Sequence, residues 1–352
     1  MIDTSNTCVI GAGIAGQAIC RATTRPGRDL STVLIDPRGL QNHDRFWVYP
    51  ERNGSGSSAD LNGTEIRDIQ LGESAIAPRE SALRAMSSNA LYEATRDRLH
   101  NSKALSLIDT ARVEAIEAGP SHVTVQTSKG PIRCRYVFDT RPDGGGRITS
   151  EQWAVASWSA WIASDAQAQP RFRLSPAEII DGGVEFVQRT SLQTGCHIER
   201  VRICAPGDDA PGLRDRLESV LGNEAQQSPL GRNVWPILPP QSDTRSGRVY
   251  SVRAGAGGLR FTSGMEAARL QAWSEDTAHR LMLGATPAPL RRANLASRIG
   301  HHFVQRAFRA GPDRGAAYVN AMMSALTGDD ALWALAGQPG WSSLIKLMMR
   351  RA

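Results

Sequence analysis

Residues 7–16 read TCVIGAGIAG, and this stretch decides the fold of the chain. A short apolar run ends in three glycines with the spacing G-x-G-x-x-G, and a segment of helical composition follows to residue 24. A second apolar run, residues 32–35, ends at Asp36, which lies twenty residues after Gly16. Strand, glycine turn, helix, strand and acid within about 30 residues are typical of a βαβ unit that binds a dinucleotide.

Each glycine of this turn has its own physical role. Gly11 makes the tight turn, Gly13 lets a pyrophosphate approach the backbone amides at the helix N-terminus, and Gly16 allows close packing of helix on strand. Asp36 is placed to accept a hydrogen bond from a ribose hydroxyl. An ordinary strand–helix turn with chance glycines is the alternative, and the complete pattern favours the dinucleotide site.

Two later segments favour FAD over NAD as the dinucleotide. Val137-Phe138-Asp139 resembles the strand that ends beside the cofactor in two-domain flavoproteins, so Asp139 is a candidate cofactor-binding residue. Gly255, Gly257 and Gly258 follow another apolar run and precede a helix, which offers a second set of amides to a pyrophosphate. A plain turn is the other interpretation of this late glycine cluster.

Composition limits the classes of function. A chain of 352 residues is long enough for two or three sub-domains. The net charge of +6 comes from arginines spread along the chain without a basic run, so no nucleic-acid partner is expected. The five cysteines form no C-x-x-C pair, which argues against a disulfide framework or a metal site and for a reducing cytoplasm. The oligomeric state is not indicated.

The remaining segments predict an α/β fold: a Rossmann-type, glutathione-reductase-like FAD-binding domain with an interleaved β-sheet substrate domain and a helical C-terminus. The expected FAD-binding parts are residues 1–148 and 247–285, the β-rich substrate domain is 149–246, and the helical region is 286–352. Within these parts we predict a helix over 81–100, a hairpin from 113–116 and 122–126, and strands over 184–192 and 196–204.

Several segments match one known family in the same order along the chain. Asn42-His43-x-x-x-Trp47-x-Tyr49 is similar to an Asn-His-Thr-Trp-x-Phe segment of that family, and Asp139-Thr140-Arg141 to its Asp-x-Arg strand end. Residues 152–154, 183–199 and 255–264 are similar to its Gln-Ala-Phe stretch, its paired strands with their glutamate, and its late flavin loop, which adds Thr262 as a cofactor-binding candidate. The family is the lycopene cyclases, flavoproteins that cyclise the ends of a carotenoid polyene.

The resemblance implies FAD as cofactor, with NAD(P)H as a candidate external reductant, and an isoprenoid or polyene substrate that is cyclised or isomerised without net redox change. Whether FAD must be reduced stays open. The chain departs from the family pattern at three places. Arg200-Val201 follows Glu199, Asn233 stands where an acid and a glycine are usual, and Met265 replaces a tyrosine. These departures concern the substrate and the acid more than the flavin.

Proton-initiated cyclisation needs an acid in a dry pocket and aromatic rings that face a cation. Glu199 is the first candidate acid, because on a strand it shares a face with His197, Val201 and Ile203. If that face is buried, we expect desolvation to favour the protonated carboxyl. A structural pairing of Glu199 with one of the many arginines is the alternative. Glu185, on the opposite strand face, is the second candidate.

Four further side chains are weighed for the same site. Trp153, Trp158 and Trp161 lie within nine residues and could line such a pocket, although tryptophan clusters are more often core. His197 could be a proton partner, although a histidine whose hydrogen bonds are satisfied within a sheet is the more common case.

Two other classes of function stay open. One is a redox flavoenzyme of the same fold, an aromatic hydroxylase or an alkene reductase. Hydroxylases of this fold normally carry an Ala-Asp-Gly strand end, whereas this chain has Asp139-Thr140-Arg141-Pro142. The other is a flavin-binding partner subunit without catalysis, which the departures around Glu199 and Asn233 keep open.

The C-terminal segment has a basic rim and an apolar surface. Leu344, Ile345, Leu347, Met348 and Met349 stand beside Lys346, Arg350 and Arg351. This composition suits peripheral contact with the inner membrane, where hydrophobic substrates reside, and it also suits a helix packed on the core. His301-His302 lacks ligand spacing and acid partners, so we interpret it as helix surface.

Overall fold

The structure is a computed structural model, and it describes residues 2–28, 30–40, 46–53, 63–141, 153–163, 169–222, 230–236, 245–252, 267–290, 295–337 and 339–349. The strands are β1 (Ile2–Ile10), β2 (Thr32–Asp36), β3 (Phe46–Arg52), β4 (Thr64–Ile66), β5 (Asp68–Leu71), β6 (Ser74–Ile76), β7 (Ser81–Ser87), β8 (Leu105–Asp109), β9 (Val113–Ala118), β10 (Val123–Thr127), β11 (Ile132–Asp139), β12 (Ala154–Ala163), β13 (Arg171–Leu174), β14 (Glu178–Ile180), β15 (Gly183–Leu192), β16 (Gly195–Cys204), β17 (Leu230–Pro236), β18 (Arg245–Ser246) and β19 (Val249–Ser251). The helices are α1 (Ile14–Thr23), α2 (Ser88–Asn101), α3 (Leu213–Leu221), α4 (Ala267–Met282), α5 (Leu295–Arg309), α6 (Pro312–Ala325), α7 (Gly328–Leu335) and α8 (Trp341–Met349).

The first sheet forms around the glycine turn. Its path runs β18-β19-β11-β1-β2-β8, and β19, β11, β1, β2 and β8 are mutually parallel. Nearly every side chain of β1 and β2 that the structure describes is buried, as expected for a parallel sheet covered by helices. Helices α1 and α4 pack together, and their apolar residues share a core with Phe138 and Tyr250.

The second sheet is antiparallel along most of its path, which runs β17-β12-β16-β15-β13-β5-β6. One face, which we call the inner face, packs against α5–α8 and the small third sheet β3-β7-β4 in the largest apolar core of the described chain. The other face is covered in part by α3, through Leu217 and Leu221 on Ile198. Alternation along β12, β15 and β16 therefore decides which side chains lie on the inner face.

The two sheets exchange segments of the chain. Strands β5 and β6, from the predicted first FAD-binding part, pair with β13 in the second sheet. Strand β19, from late in the chain, returns to β11 in the first sheet. The predicted Rossmann-type α/β architecture with a helical C-terminus is confirmed. Among the described residues, no helix combines the length and apolar character that crossing a bilayer requires.

Individual elements were predicted with mixed success. The hairpin of β9 and β10 and the long pair β15 and β16 are confirmed. The predicted helix over 81–100 is wrong in its first third, because residues 81–87 form β7, paired with β3 and β4, and the helix begins at Ser88. The interpretation of His301-His302 as helix surface is wrong for His301, which is buried in α5, whereas His302 is exposed.

Candidate active site

The glycine turn between β1 and α1 is closed by two tight contacts. Gly11 has a φ of +100°, and a Cβ there would lie 2.7 Å from Thr140 Oγ1. A Cβ on Gly16 would lie 1.9 Å from the Gly11 carbonyl oxygen. Only glycine fits at either position, since the first needs the left-handed conformation and the second allows no side chain.

Gly13 differs from the other two glycines. A Cβ added at Gly13 would meet no atom of the described residues within 4 Å. Packing of the protein on itself therefore does not require a glycine here, whereas a group bound at the helix N-terminus would. Helix α1 begins next to it, without a side-chain cap and without an acid in its first turn. Its first amides are thus suited to a pyrophosphate, and the turn fits a dinucleotide.

Asp36 lies at the end of β2, and its carboxylate accepts hydrogen bonds from the backbone of the glycine turn and of the residues after β2. Its Oδ2 accepts a hydrogen bond from the Ala12 amide at 2.7 Å, and its Oδ1 accepts one from the Arg38 amide at 2.8 Å. A carboxylate has about four acceptor positions, so both oxygens can accept a further donor. The predicted bond to a ribose hydroxyl stays a prediction.

Asp139 ends β11 directly beside the turn, in register with Ile10 of β1. Its carboxylate is occupied by Arg141, which donates from Nε to Oδ1 at 2.9 Å and from Nη2 to Oδ2 at 2.6 Å. The hydrogen bond from Arg141 to Asp139 raises the pKa of the guanidinium. Thr140 adds bonds from its hydroxyl to the Ile10 and Gly11 carbonyls, at 2.9 and 3.1 Å. Asp139 was predicted from the sequence as a cofactor-binding residue, whereas Thr140 and Arg141 were given only as part of the same strand end, without a role of their own.

The remaining predicted cofactor residues, Gly255, Gly257, Gly258 and Thr262, lie outside the described residues, as do Asn42 and His43. The first set of dinucleotide residues is thus brought together by β1, α1, β2 and β11, and the second set stays a prediction. Among the described residues, no cluster of three or more histidine, cysteine or acidic side chains is placed to hold a metal ion.

Glu199 lies in the middle of the inner face of the second sheet. Glu199 is 0% exposed, and the hydroxyl of Ser157 in β12 donates a hydrogen bond to the Glu199 Oε1 at 2.6 Å. On the neighbouring strands Glu199 is directly opposite Ser159 and Gln188, both buried. The prediction that it shares a buried face with His197, Val201 and Ile203 is confirmed. Its role as an acid stays a prediction.

His197 lies two residues before Glu199 on the same face. Its ring stacks on Phe46 of β3 with centroids 5.4 Å apart, and Phe46 also contacts Trp161 at 5.5 Å. Burial lowers the pKa of His197 to about 4, so the imidazole is neutral near pH 7. Its Nδ1 has no hydrogen-bond partner among the described residues, which differs from the satisfied histidine expected from the sequence.

The surroundings of Glu185, the second candidate acid, argue against a role in proton donation. It lies on the opposite face of the sheet, where Arg200 and Arg202 approach it at 2.8 and 3.0 Å and Arg216 at 2.5 Å. Burial raises the pKa of Glu185, but hydrogen bonds from Arg216, Arg200 and Arg202 outweigh burial and hold the pKa below its usual value. The carboxylate stays charged, so Glu185 is not suited to donate a proton.

The three tryptophans divide between the two faces. Trp161 packs on the inner face, as does Trp153, whose ring lies 5.6 Å from that of Phe308. Trp158 points to the other face, under Arg214, whose guanidinium lies 5.5 Å from the ring centroid. Residues 158 and 161 have opposite parity on β12, so Trp158 cannot line one pocket together with Trp153 and Trp161.

The two sheets and the dinucleotide turn give the chain a fold that is similar to that of solved flavin-dependent monooxygenases. The chain is similar to p-nitrophenol 4-monooxygenase PnpA from Pseudomonas putida DLL-E4, at 14% identity and TM-score 0.60, covering 99% of this chain and 98% of that one. It is also similar to the flavin-dependent monooxygenase PieE solved with FAD and substrate, at 15% identity and TM-score 0.58, covering 99% and 71%, and to CtdE solved with FAD, at 11% and 0.57, covering 99% and 100%.

Sequence comparison identifies the family of the chain. The protein-family model described as "Lycopene cyclase protein" matches residues 6–181, which is half of the chain. The chain belongs to the lycopene cyclase family. No curated protein matches it significantly. The matched segment contains the dinucleotide turn, Asp139 and β12, and it ends before the strand that carries Glu199.

Proposed function

We propose that this protein is an FAD-dependent enzyme that cyclises or isomerises an isoprenoid or polyene substrate by protonating an alkene. The observation that carries this proposal is Glu199: a fully buried carboxyl on the inner face, hydrogen-bonded to the neutral hydroxyl of Ser157. Glu185, on the opposite face, is surrounded by three arginines. A carboxyl that three arginines hold charged is not suited to give a proton to a neutral hydrocarbon, so the buried Glu199, with the Ser157 hydroxyl among its partners, is the better candidate.

The flavin would be held by the turn already described. The space beside Gly13 and the uncapped N-terminus of α1 would hold the pyrophosphate, and Asp36 would accept a hydrogen bond from the ribose. When bound in its reduced form, FAD supplies an electron-rich ring system that stabilises positive charge on the substrate. Family membership and the flavin-enzyme fold support this assignment.

The proposed reaction is balanced without an oxidant or a reductant. The Glu199 O–H bond breaks as a C–H bond forms on the alkene, and the resulting cation is attacked by a second alkene of the same substrate. An adjacent C–H bond then breaks, and its proton returns to the Glu199 carboxylate. Phe46 and Trp161, which lie against the inner face, offer ring faces to the cation, and the apolar core around them excludes water.

A redox flavoenzyme is the second candidate. The structural similarity to PnpA over nearly the whole of both chains favours it, because PnpA is named as a monooxygenase. Against it stands the end of β11, where Asp139-Thr140-Arg141 replaces the Ala-Asp-Gly typical of hydroxylases, and where Arg141 occupies the Asp139 carboxylate.

One experiment separates the two candidates. The purified flavoprotein is incubated with an acyclic isoprenoid panel and NAD(P)H, and both the product mass and the reductant consumed are measured. We expect a product of unchanged mass and NAD(P)H consumption far below product formation. A product that gains an oxygen atom, or two hydrogens, with one NAD(P)H consumed per turnover would contradict the cyclase and establish the redox enzyme.

A further inference from the structure

Three buried polar atoms on the inner face have no hydrogen-bond partner among the described residues. They are Gln188 Oε1, Thr190 Oγ1 and His197 Nδ1, from residues that are 1%, 0% and 3% exposed. Buried polar groups in folded proteins nearly always find partners, because leaving one unmet costs free energy comparable to a lost hydrogen bond. Three such atoms in one place therefore point to a group that is not part of the protein.

The three atoms belong to one small patch. Thr190 is directly opposite His197 in the β15–β16 ladder, and Gln188 is opposite Glu199 one step along the same face. Side chains of directly opposed residues have Cβ atoms about 5 Å apart, and diagonal neighbours, about 7 Å apart, are still within reach of long side chains. Gln188, Thr190 and His197, which we call the polar patch, thus adjoin the proposed acid.

The chemistry of the polar patch selects a neutral ligand that both donates and accepts. Gln188 Oε1 accepts, the Thr190 hydroxyl donates or accepts, and the neutral His197 ring offers one of these at Nδ1. Arg189, Arg200 and Arg202 of the same two strands alternate onto the opposite face, so an anion finds no guanidinium of these strands here. A hydroxyl group meets the requirement, because one oxygen can donate to Gln188 and accept from Thr190 or His197.

We propose that the polar patch recognises a hydroxyl group on the substrate, so that the enzyme acts on an oxygenated isoprenoid and discriminates against the corresponding pure hydrocarbon. This inference rests on the proposed function, because it assumes that the inner face is the substrate site. It adds Gln188 and Thr190 as specificity-determining residues that sequence reasoning did not single out.

Paired probes test the proposal on the flavin-loaded protein. Geraniol, farnesol and geranylgeraniol are each compared with the matching hydrocarbon that lacks the hydroxyl, and binding is measured by calorimetry. We expect at least one alcohol to bind about tenfold more tightly than its hydrocarbon. Thr190→Val, which keeps the shape and removes the hydroxyl, should reduce this preference to about twofold and leave hydrocarbon affinity unchanged. Gln188→Leu should act in the same direction.

Thr277→Val is the matched control. Thr277 is also buried with a hydroxyl that has no hydrogen-bond partner among the described residues, but it lies in α4 beside the first sheet. This variant should keep the full preference. Equal binding of alcohol and hydrocarbon by the unaltered protein, a preference that survives Thr190→Val, or no binding of any probe by the flavin-loaded protein would overturn the proposal. A hydroxyl preference without cyclised product would instead contradict the proposed function and leave the recognition intact.

Discussion

At the scale of single residues, the second sheet shows how one strand pair places two buried carboxyls in different surroundings. Glu199 and Glu185 are both fully buried, on neighbouring strands, yet they face opposite sides of the sheet. Arg200, Arg202 and Arg216 surround Glu185, while the Ser157 hydroxyl contacts Glu199. Burial is the same for both carboxyls, so the three arginines are what hold Glu185 in its charged form.

The first prediction concerns Glu199. Glu199→Gln keeps shape and hydrogen bonding but removes the ionisable proton, so turnover should fall by about 10²–10⁴ while the flavin spectrum is retained. Steady-state rates and absorbance spectra check this. Glu178→Gln, an exposed position on β14, is the control and should keep full activity. Full turnover in Glu199→Gln would place the acid elsewhere, and loss of flavin or of folding would show that Glu199 is structural.

The second prediction separates two glycines of one turn. Gly13→Val should abolish FAD binding and leave the fold intact, because its side chain enters space that only a bound pyrophosphate would use. Gly16→Ala should instead lower the melting temperature, because its Cβ would collide with the Gly11 carbonyl. Flavin absorbance and thermal denaturation of the two variants measure these outcomes. A Gly13→Val protein that is still yellow would remove the pyrophosphate from this turn.

The third prediction concerns His301, which is buried in α5 beside a cavity of about 30 Å³. Burial, aided by His302, lowers its pKa to about 4, against about 6.5 in the unfolded chain. The unfolded state therefore binds more protons between these values, and stability falls as the pH falls from about 6.5 to 4. One histidine contributes at most about 1.4 kcal/mol per pH unit.

His301→Phe should flatten this acid dependence. The free energy of unfolding, measured by urea denaturation at pH 7 and pH 5, should fall less in His301→Phe than in the unaltered protein. His279→Gln, an exposed histidine of α4, is the control and should change nothing. Identical slopes for His301→Phe and the unaltered protein would show that the imidazole is not held neutral.

At the scale of elements, helix α8 has two apolar surfaces. Leu344 and Leu347 are buried, so the interpretation of α8 as a helix packed on the core is confirmed for them. Trp341, Ile345 and Met349, one turn apart from each other, are 53%, 49% and 74% exposed. An exposed stripe of this kind, with a tryptophan at one end, is suited to the interfacial region of a bilayer.

The fourth prediction tests that surface. We propose that the stripe makes a peripheral membrane contact, the interpretation that the sequence left open beside packing on the core. Replacing Trp341, Ile345 and Met349 together by glutamine should reduce flotation with anionic liposomes by about tenfold or more, while circular dichroism stays unchanged. Replacing exposed Ile179 alone, on β14, is the control. Equal flotation of the triple variant and the unaltered protein would exclude a role of α8 at a membrane.

Local sequence patterns predicted an element correctly where they agree with the strand pairing that the structure forms. Strands β15 and β16 are two runs of strand-like residues separated by the turn at 193–195, and the structure forms them almost as predicted. Residues 81–87, SALRAMS, are rich in helix formers yet form β7, because pairing on both sides with β3 and β4 outweighs intrinsic preference. Such non-local pairing leaves no signal in a short window of sequence.

The residues of the candidate site were likewise predicted where a local pattern is sufficient and missed where pairing between distant strands decides their position. Parity on β16 was enough to place Glu199 and His197 on one face, whereas the position of Glu185 on the other face follows from the register of β15 against β16. Ser157, Gln188 and Thr190 could not be placed beside them, because that needs the register of β12 and β15 against β16. The burial of His301 depends in the same way on α8 packing over α5, where a Cβ on Gly300 would touch Leu344.

At the scale of the whole molecule, neither sheet is built from one continuous stretch of chain. Strands β5 and β6 cross to the second sheet, and β19 returns to the first. The fifth prediction follows: the two sheets should unfold together, so that far-UV circular dichroism and flavin release give coincident transitions in urea. Two separated transitions would show that the sheets are independent folding units.

The return of β19 also has a consequence for how the protein is made. Strand β11 is paired along its C-terminal half by β1 and by β19, which lies more than a hundred residues later in the chain. On a ribosome that adds about 5–20 residues per second, the β11 edge waits several seconds for its partner. During that time the nascent chain carries an open edge strand. A chaperone that covers this edge would protect it from aggregation, and fast translation over residues 140–245 would shorten its exposure.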